Sequence, residues 1–299
     1  MRVLVTGADG FVARHLRRHL EAEGDEVVGV DRECDVTDAR SVREVFERVR
    51  PEVTYHLAAL ANVAESWEHP EEYTRVNVVG TRRVLDAADE FAPDSTTLFV
   101  STSEVYGVTA PEDQPLHEEC RVAPVSPYAA SKVEGERVVH DAVRARGQRA
   151  LVARPFNHLG PGQSATYVVP ALVTRLLAAR QRGQESITVG DLSARRDFTD
   201  VRDVVRAYRL LSLNGVVGEV YHVASGRDVA IGDIAAQLVD VVAPGTRLVV
   251  DPALLRPVEV PVSRGSYDKL RRATGWSPAY ALSDSLADVV ADVRRRHQG

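Results

Sequence analysis

Residues 3–13 read VLVTGADGFVA: an apolar run, then Thr6, Gly7 and Gly10, then Phe11, Val12 and Ala13 as the apolar pattern resumes. A buried strand that breaks on glycines and restarts as a helix is the opening of a βαβ unit. Gly7 and Gly10 allow a tight turn and bring the main chain close to a pyrophosphate, whose charge then faces the positive end of the helix that starts near Phe11 and Val12. The spacing is G-x-x-G-x-x-A, with Ala13 in the third place; a glycine turn without a ligand is the alternative at this point.

Outward from that turn, Arg2–Thr6, Glu26–Val30, Val53–Leu57, Thr97–Ser101 and Ala150–Ala153 are rich in Val and Leu without polar alternation. That is the pattern of a parallel sheet covered on both faces. Residues 11–23, 38–49, 71–91 and 127–146 carry apolar residues at helical spacing. Repeated βαβ units place the chain in the α/β class, with a Rossmann-type doubly wound parallel sheet over residues 1–155. Beyond it, Gly160, Pro161 and Gly162 break the chain. Helices at 166–182, 200–213, 231–242 and 282–296 and strands at 187–189, 220–223 and 247–250 predict a smaller C-terminal α/β lobe over 156–299, with about 190–225 returning in part to the first domain.

A chain of 299 residues with 44% hydrophobic and 27% charged residues can bury a sizeable core. Its net charge of -6 argues against a nucleic-acid partner, which would need a basic stripe. The N-terminal MRVLVTGADG starts a strand at once, with no charged leader or long apolar run, so a cytoplasmic protein with no membrane partner is expected. Cys34 and Cys120 are too few for a disulfide framework or a cysteine metal site, and no metal is expected. Only two of the 37 basic residues are lysine, Lys132 and Lys269, so each lysine needs a reason.

The second strand closes on VVGVDR, with Asp31 about twenty residues beyond the glycines, where a carboxylate accepts hydrogen bonds from ribose hydroxyls. Asp31 favours NAD(H) over NADP(H), because it repels a 2′-phosphate; Arg32 beside it pulls the other way. Asp35 and Val36 are placed to reach the adenine, and HLAALA (56–61) offers Leu57, Ala58, Ala59 and Ala61 as small neighbours for a cofactor. Asn77 stands mid-helix against its propensity, either capping something internal or merely exposed.

Two stretches carry reactive groups. In PYAASK (127–132), Tyr128 and Lys132 lie at i and i+4 on one helical face, and an ammonium there would stabilise a phenolate. In VSTSEVYG (100–107), Ser101, Thr102, Ser103 and Glu104 crowd a strand end. Together with Gly7 and Gly10, these residues resemble the extended short-chain dehydrogenase/reductase family of nucleotide-sugar enzymes over the whole chain. The resemblance implies that Tyr128 is the general acid/base, that Lys132 holds the nicotinamide ribose and lowers the Tyr128 pKa, and that Thr102 bonds the reacting oxygen. It implies that Ser103 and Glu104 grip sugar hydroxyls, and that Ser101, Pro155, Asn157 and His158 belong with the cofactor contacts.

RPFNHLGPGQ (154–163), VGDLSARRDFTDVRDVVRAY (189–208) and RPVEVP (256–261) are similar to the GDP-sugar branch of that family. The implied reaction is NAD(P)H-dependent reduction of GDP-4-keto-6-deoxy-D-mannose to GDP-D-rhamnose. The alternative is 4,6-dehydration of GDP-mannose, in which Glu104 would take the C5 proton; 4-epimerisation is a third reading, and a non-catalytic dinucleotide-binding regulator a fourth. Substrate contacts would come from Asn157, Val168, Val189, Arg196, Arg256 and Glu259. Arg196 and Arg256, read in loop-like stretches, suit a diphosphate because guanidinium forks match its oxygens. His158 reads as a packed structural histidine rather than a base, and Asn157 either binds phosphate or caps a turn. The family also implies a homodimer; Val133, Val138, Val139, Ala142 and Val143 allow such a face, and the same periodicity equally fits a core.

Overall fold

The computed structural model describes residues 1–254 and 260–298. The chain begins β1 (Arg2–Thr6), α1 (Phe11–Ala22), β2 (Glu26–Val30), α2 (Ala39–Val49) and β3 (Val53–His56). There follow α3 (Val63–Glu68), α4 (Pro70–Thr74), α5 (Gly80–Phe91), β4 (Thr96–Val100), α6 (Pro127–Arg146) and β5 (Arg149–Pro155). Apolar spacing explains the helices: α1 buries Ala13, Leu16 and Leu20, and α2 buries Val42, Val45, Phe46 and Val49. Expected helix 71–91 is broken: α4 and α5 are joined by one wide turn of π type at Arg75–Val79, which turns Asn77 inward.

The second half contains β6 (Asn157–Leu159), α7 (Val168–Arg182), β7 (Ser186–Val189), β8 (Arg195–Asp200), α8 (Val201–Asn214) and β9 (Val220–Val223). It ends with β10 (Asp228–Ala230), α9 (Ile231–Val242), β11 (Arg247–Val250), β12 (Val262–Ser263), α10 (Asp268–Thr274) and α11 (Leu282–Gln298). The main sheet has six parallel strands in the order β2-β1-β3-β4-β5-β9. Successive side chains alternate between its two faces. Val3, Val5, Leu98 and Leu151 pack toward α1 and α8, while Leu4 packs toward α2 and α5, and Phe99 and Val152 toward α5 and α6. Because β1 has β2 on one side and β3 on the other, the chain leaves the strand ends in opposite directions and opens a crevice there.

The smaller lobe packs α7, α9 and α11 around a core of its own. Its β8 is flanked by β10 and β12 and also pairs with β6, and β7 pairs with β11. Arg196 is thus a strand residue, opposite Val229 and Ser263, and the loop expected there is corrected. Strand β8 was missed because RRDFTD is charged; its carboxylates are satisfied by residues remote in sequence.

Of the two readings of the α6 stripe, the structure shows the core. Val133, Val138, Val139 and Ala142 are buried within the single chain against Phe99, Leu85 and Phe156, and Val143 is half-buried beside them. The outer side of α6 instead carries Ala130, Glu134, Arg137, Asp141 and Arg144, with ion pairs Arg137–Glu134 and Arg144–Asp141.

Candidate active site

The crevice between β1 and β3 is lined by close-packed main chain. Gly7 has φ +69°, and a Cβ there would stand 2.8 Å from the Ala58 main chain, so only glycine lets the two strand ends meet. Gly10 begins α1 with no side chain capping its first turn, which leaves main-chain N–H groups at the positive end of a helix dipole. Asp31 stands at the end of β2, where its carboxylate accepts from the Asp9 N–H at 3.0 Å. Leu57, Ala58 and Ala59 are half-buried along the other wall, and Ala61 is exposed. A glycine cradle, an uncapped helix start and a carboxylate at the rim fit a dinucleotide with its pyrophosphate at Gly7–Val12.

The crevice leads to the start of α6. Ser126 caps that helix by accepting from Ala129 N–H at 3.1 Å, and Pro127 occupies its first position. Tyr128, one residue on, is 8% exposed, and its hydroxyl shares a hydrogen bond with Thr102. Thr102 is buried and also accepts from Glu104 N–H at 3.2 Å, which starts a short 3-10 turn over Ser103–Tyr106. Lys132 is 4% exposed and donates to the Val100 carbonyl at 2.8 Å, with its ammonium 5.1 Å from the Phe99 ring centre.

The electrostatics differ from the expected ones. Burial pushes the Tyr128 phenol above its ordinary pKa, the Thr102 hydrogen bond pulls it back, and the charge of Glu104 adds to the rise. Lys132 is itself lowered to about 8 by burial, with Glu136 opposing. Burial outweighs any lowering of Tyr128 by Lys132, and the phenol stays above its ordinary value.

Other expected residues divide. Asn77 is buried and its carboxamide is consumed by Leu60 N–H, the Leu60 carbonyl and Ser131, so it braces the β3 loop. Asp35 is exposed and accepts from the Thr37 N–H and hydroxyl, both at 2.8 Å, while Val36 packs in the core beneath Gly80. Ser101 directs its hydroxyl to Glu136 rather than to the crevice. Pro155 is buried in β5, opposite Val223. Asn157 and His158 lie half-buried on β6, paired with Phe198 and Thr199. His158 bonds the Phe156 carbonyl and stacks on Phe11 at 6.1 Å, a packed histidine whose pKa burial lowers. Val168 is exposed at the start of α7, and the Val189 side chain is buried in the lobe core. Arg196 is half-buried and donates to the Val260 carbonyl at 2.6 Å. Arg256 and Glu259 lie outside the described residues.

The family model of the NAD dependent epimerase/dehydratase family matches residues 3–224. The chain belongs to that family. Among other members, GDP-6-deoxy-D-mannose reductase of Pseudomonas aeruginosa is 35% identical over 99% of this chain and 98% of its own length. GDP-mannose 4,6-dehydratase of Vibrio cholerae is 26% identical over 99% and 95%. Among solved structures, RMD from Pseudomonas aeruginosa complexed with NADPH superposes with a TM-score of 0.91 at 33% identity, covering 99% of this chain and all of that one. UDP-glucose 4-epimerase of Thermotoga maritima with UDP-glucose also reaches 0.91, at 27% identity over 99% of this chain and all of that one.

In this epimerase/dehydratase family member, the structure adds neighbours that the sequence did not single out. Tyr73 is buried with its ring edge-on to Tyr128 at 6.3 Å, and its hydroxyl donates to the Asn62 carbonyl at 2.5 Å. One aromatic contact thus couples Tyr128 to the loop after β3. Tyr167, from the smaller lobe, is close enough to Tyr128 and Glu65 to act on them electrostatically. Neither has a local signal in the sequence, because each comes near Tyr128 only through the fold.

Proposed function

We propose that the protein reduces the 4-keto group of a nucleotide-linked 4-keto-6-deoxyhexose, GDP-4-keto-6-deoxy-D-mannose to GDP-D-rhamnose, using NAD(P)H. The observation that carries the reading is the buried Tyr128–Thr102 hydroxyl pair beside Lys132, in a chain matched end to end by a GDP-6-deoxy-D-mannose reductase. The bound nicotinamide would supply hydride to C4. Tyr128 donates its phenolic proton to the carbonyl oxygen as the C–O double bond becomes single, and takes a proton back afterwards. Its raised pKa keeps the phenol protonated at neutral pH, which suits donation to a ketone. Thr102 holds the same oxygen, Lys132 holds the ribose, and Ser103 and Glu104 bind sugar hydroxyls. Asn157, Val168 and Arg196, with Arg256 and Glu259, bind the rest of the nucleotide sugar.

Asp31 at the rim supports a preference for NAD(H), with Arg32 adjoining; the ratio of turnover with NADH and NADPH measures it. The working form is proposed as a cytoplasmic homodimer, which light scattering of the purified protein tests for mass. Incubation with GDP-4-keto-6-deoxymannose should consume reduced cofactor; no consumption with either cofactor removes the reductase reading. Dehydration of GDP-mannose is the second reading, favoured by the half-buried Glu104 carboxylate beside Tyr128. Turnover of GDP-mannose with no added reductant would establish it.

A further inference from the structure

Residues 128, 132 and 136 recur every fourth position on α6 and share one face. That face meets three consecutive residues where β4 ends. Tyr128 bonds Thr102, Lys132 donates to the Val100 carbonyl at 2.8 Å, and Glu136 accepts from the Ser101 hydroxyl at 2.5 Å. Behind the helix, Arg154 of β5 grips both carboxylate oxygens of Glu136 at 2.8 and 2.6 Å. Its remaining nitrogen donates to the Tyr106 hydroxyl at 2.7 Å and the Glu118 carbonyl at 3.2 Å. Glu136 and Arg154 are 4% and 5% exposed.

A buried ion pair adds little stability, since desolvation offsets its attraction and apolar residues of equal volume do as well. Its position, one turn beyond Lys132 and bonded to the residue before Thr102, gives it another use. We infer that Glu136 is a positioning residue: held by Arg154, it sets the register of Ser101–Thr102 against α6 and keeps the buried Lys132 in its ammonium form. The inference rests on Tyr128 and Lys132 being the reacting pair proposed above.

Among the described residues, the surroundings of Lys132 leave Glu136 as the anion that serves it. From its own helix it faces Tyr128, a neutral phenol; from β4, the Val100 carbonyl and the Phe99 ring. From β3 it faces His56, which hydrogen-bonds Thr6 and Thr81 and stays neutral, its pKa lowered by burial to about 3. Arg154, from β5, has its charge committed to Glu136. Burial alone drives the ammonium toward losing its proton, to about 8 with Glu136 opposing, so removing the carboxylate moves deprotonation to lower pH.

Having only two lysines makes the titration readable. Protein grown on lysine labelled with carbon-13 at the ε position shows two side-chain signals, and Lys269→Arg assigns them. With Glu136→Gln, the Lys132 midpoint is expected to fall by about one pH unit, with the alkaline limb of kcat following and KM for the sugar unchanged. Because Glu136→Gln strands the Arg154 cation, Glu136→Gln/Arg154→Met is measured alongside and should show the same fall. Ser101→Ala keeps the ion pair and removes the register bond; its kcat should drop about tenfold with the Lys132 midpoint unmoved. A folded Glu136 variant that titrates at the wild-type midpoint, or a Ser101→Ala enzyme with full kcat, overturns the inference. Failure of the reductase reading has a different signature: wild type without turnover, whose Lys132 midpoint still falls on Glu136→Gln.

Discussion

Tyr128 and Lys132 on α6 and Asp197, Asp200 and Asp203 across the β8–α8 junction are both sets of buried polar groups at regular spacing, and they differ in what their bonds are spent on. The three aspartates are saturated by protein. Asp197 accepts from the Ser225 N–H and hydroxyl and from the Gly226 and Gly265 N–H groups. Asp200 caps α8 through the Arg202 N–H and also accepts from Ser285, and Asp203 accepts from the Ala279 and Tyr280 N–H groups and from Arg206. Tyr128, by contrast, has Thr102, and Lys132 places one of its three N–H donors on Val100. Capacity left over lets Tyr128 and Lys132 bond something else, and it is shared by other buried groups such as the Tyr208 hydroxyl, which has no partner among the described residues. Burial with every valence used marks a joint, here between β8, the 225–226 and 265 loops and the segment before α11.

The contrast breaks first at Tyr128. Tyr128→Phe removes a hydroxyl bonded to Thr102 alone among the described residues, so turnover should fall by about 10²- to 10⁴-fold while dinucleotide binding, measured by cofactor fluorescence, stays as in wild type. Asp203→Ala should do the opposite. It strands two main-chain N–H groups and Arg206, so urea unfolding should register a loss of about 3 kcal/mol, with kcat of the folded protein unchanged. Thr102→Val is the milder catalytic change, expected to lower kcat about tenfold, because Tyr128 keeps its proton and loses only its partner.

Acid unfolding sharpens the same comparison through opposite signs. His56 and His222 are buried neutral with pKa values pushed down to about 3, so the unfolded chain takes up protons below the ordinary pKa of 6.5 that the native state refuses. Stability falls as pH drops from about 6.5 toward 3, and His222→Gln should remove about one proton from that slope in urea titrations. Asp197 works the other way: desolvation raises it from 3.8 to about 6, so its contribution is full below 3.8 and lost as pH rises through 6. Asp197→Asn should therefore steepen the acid fall within that window; a slope unchanged from wild type would refute the assignment.

Much of this was legible in the sequence. Gly7 and Gly10 end β1 as read, and Tyr128 and Lys132 share a helical face as their spacing requires. Strand β8 was not legible, because Arg195, Arg196, Asp197 and Asp200 look like a solvated loop until Ser225, Gly265 and Ser285 arrive from far along the chain. The break in the 71–91 helix was hidden for a similar reason: the wide turn is held by Asn77 bonding Leu60 and Ser131, neither of them a helix neighbour. Val133, Val138 and Val139 show the limit of periodicity, which gives the same stripe for a partner's face and for a core.

By itself the sequence determined the parallel sheet, the glycine crevice and the shared helical face of Tyr128 and Lys132, because those depend on local periodicity, main-chain freedom and i, i+4 spacing. The tertiary structure alone decided which polar groups keep free capacity. Glu136 reaches Ser101 across 35 residues and Tyr106 reaches His222 across 116, so the partners that spend or spare each bond become neighbours only when the chain has folded.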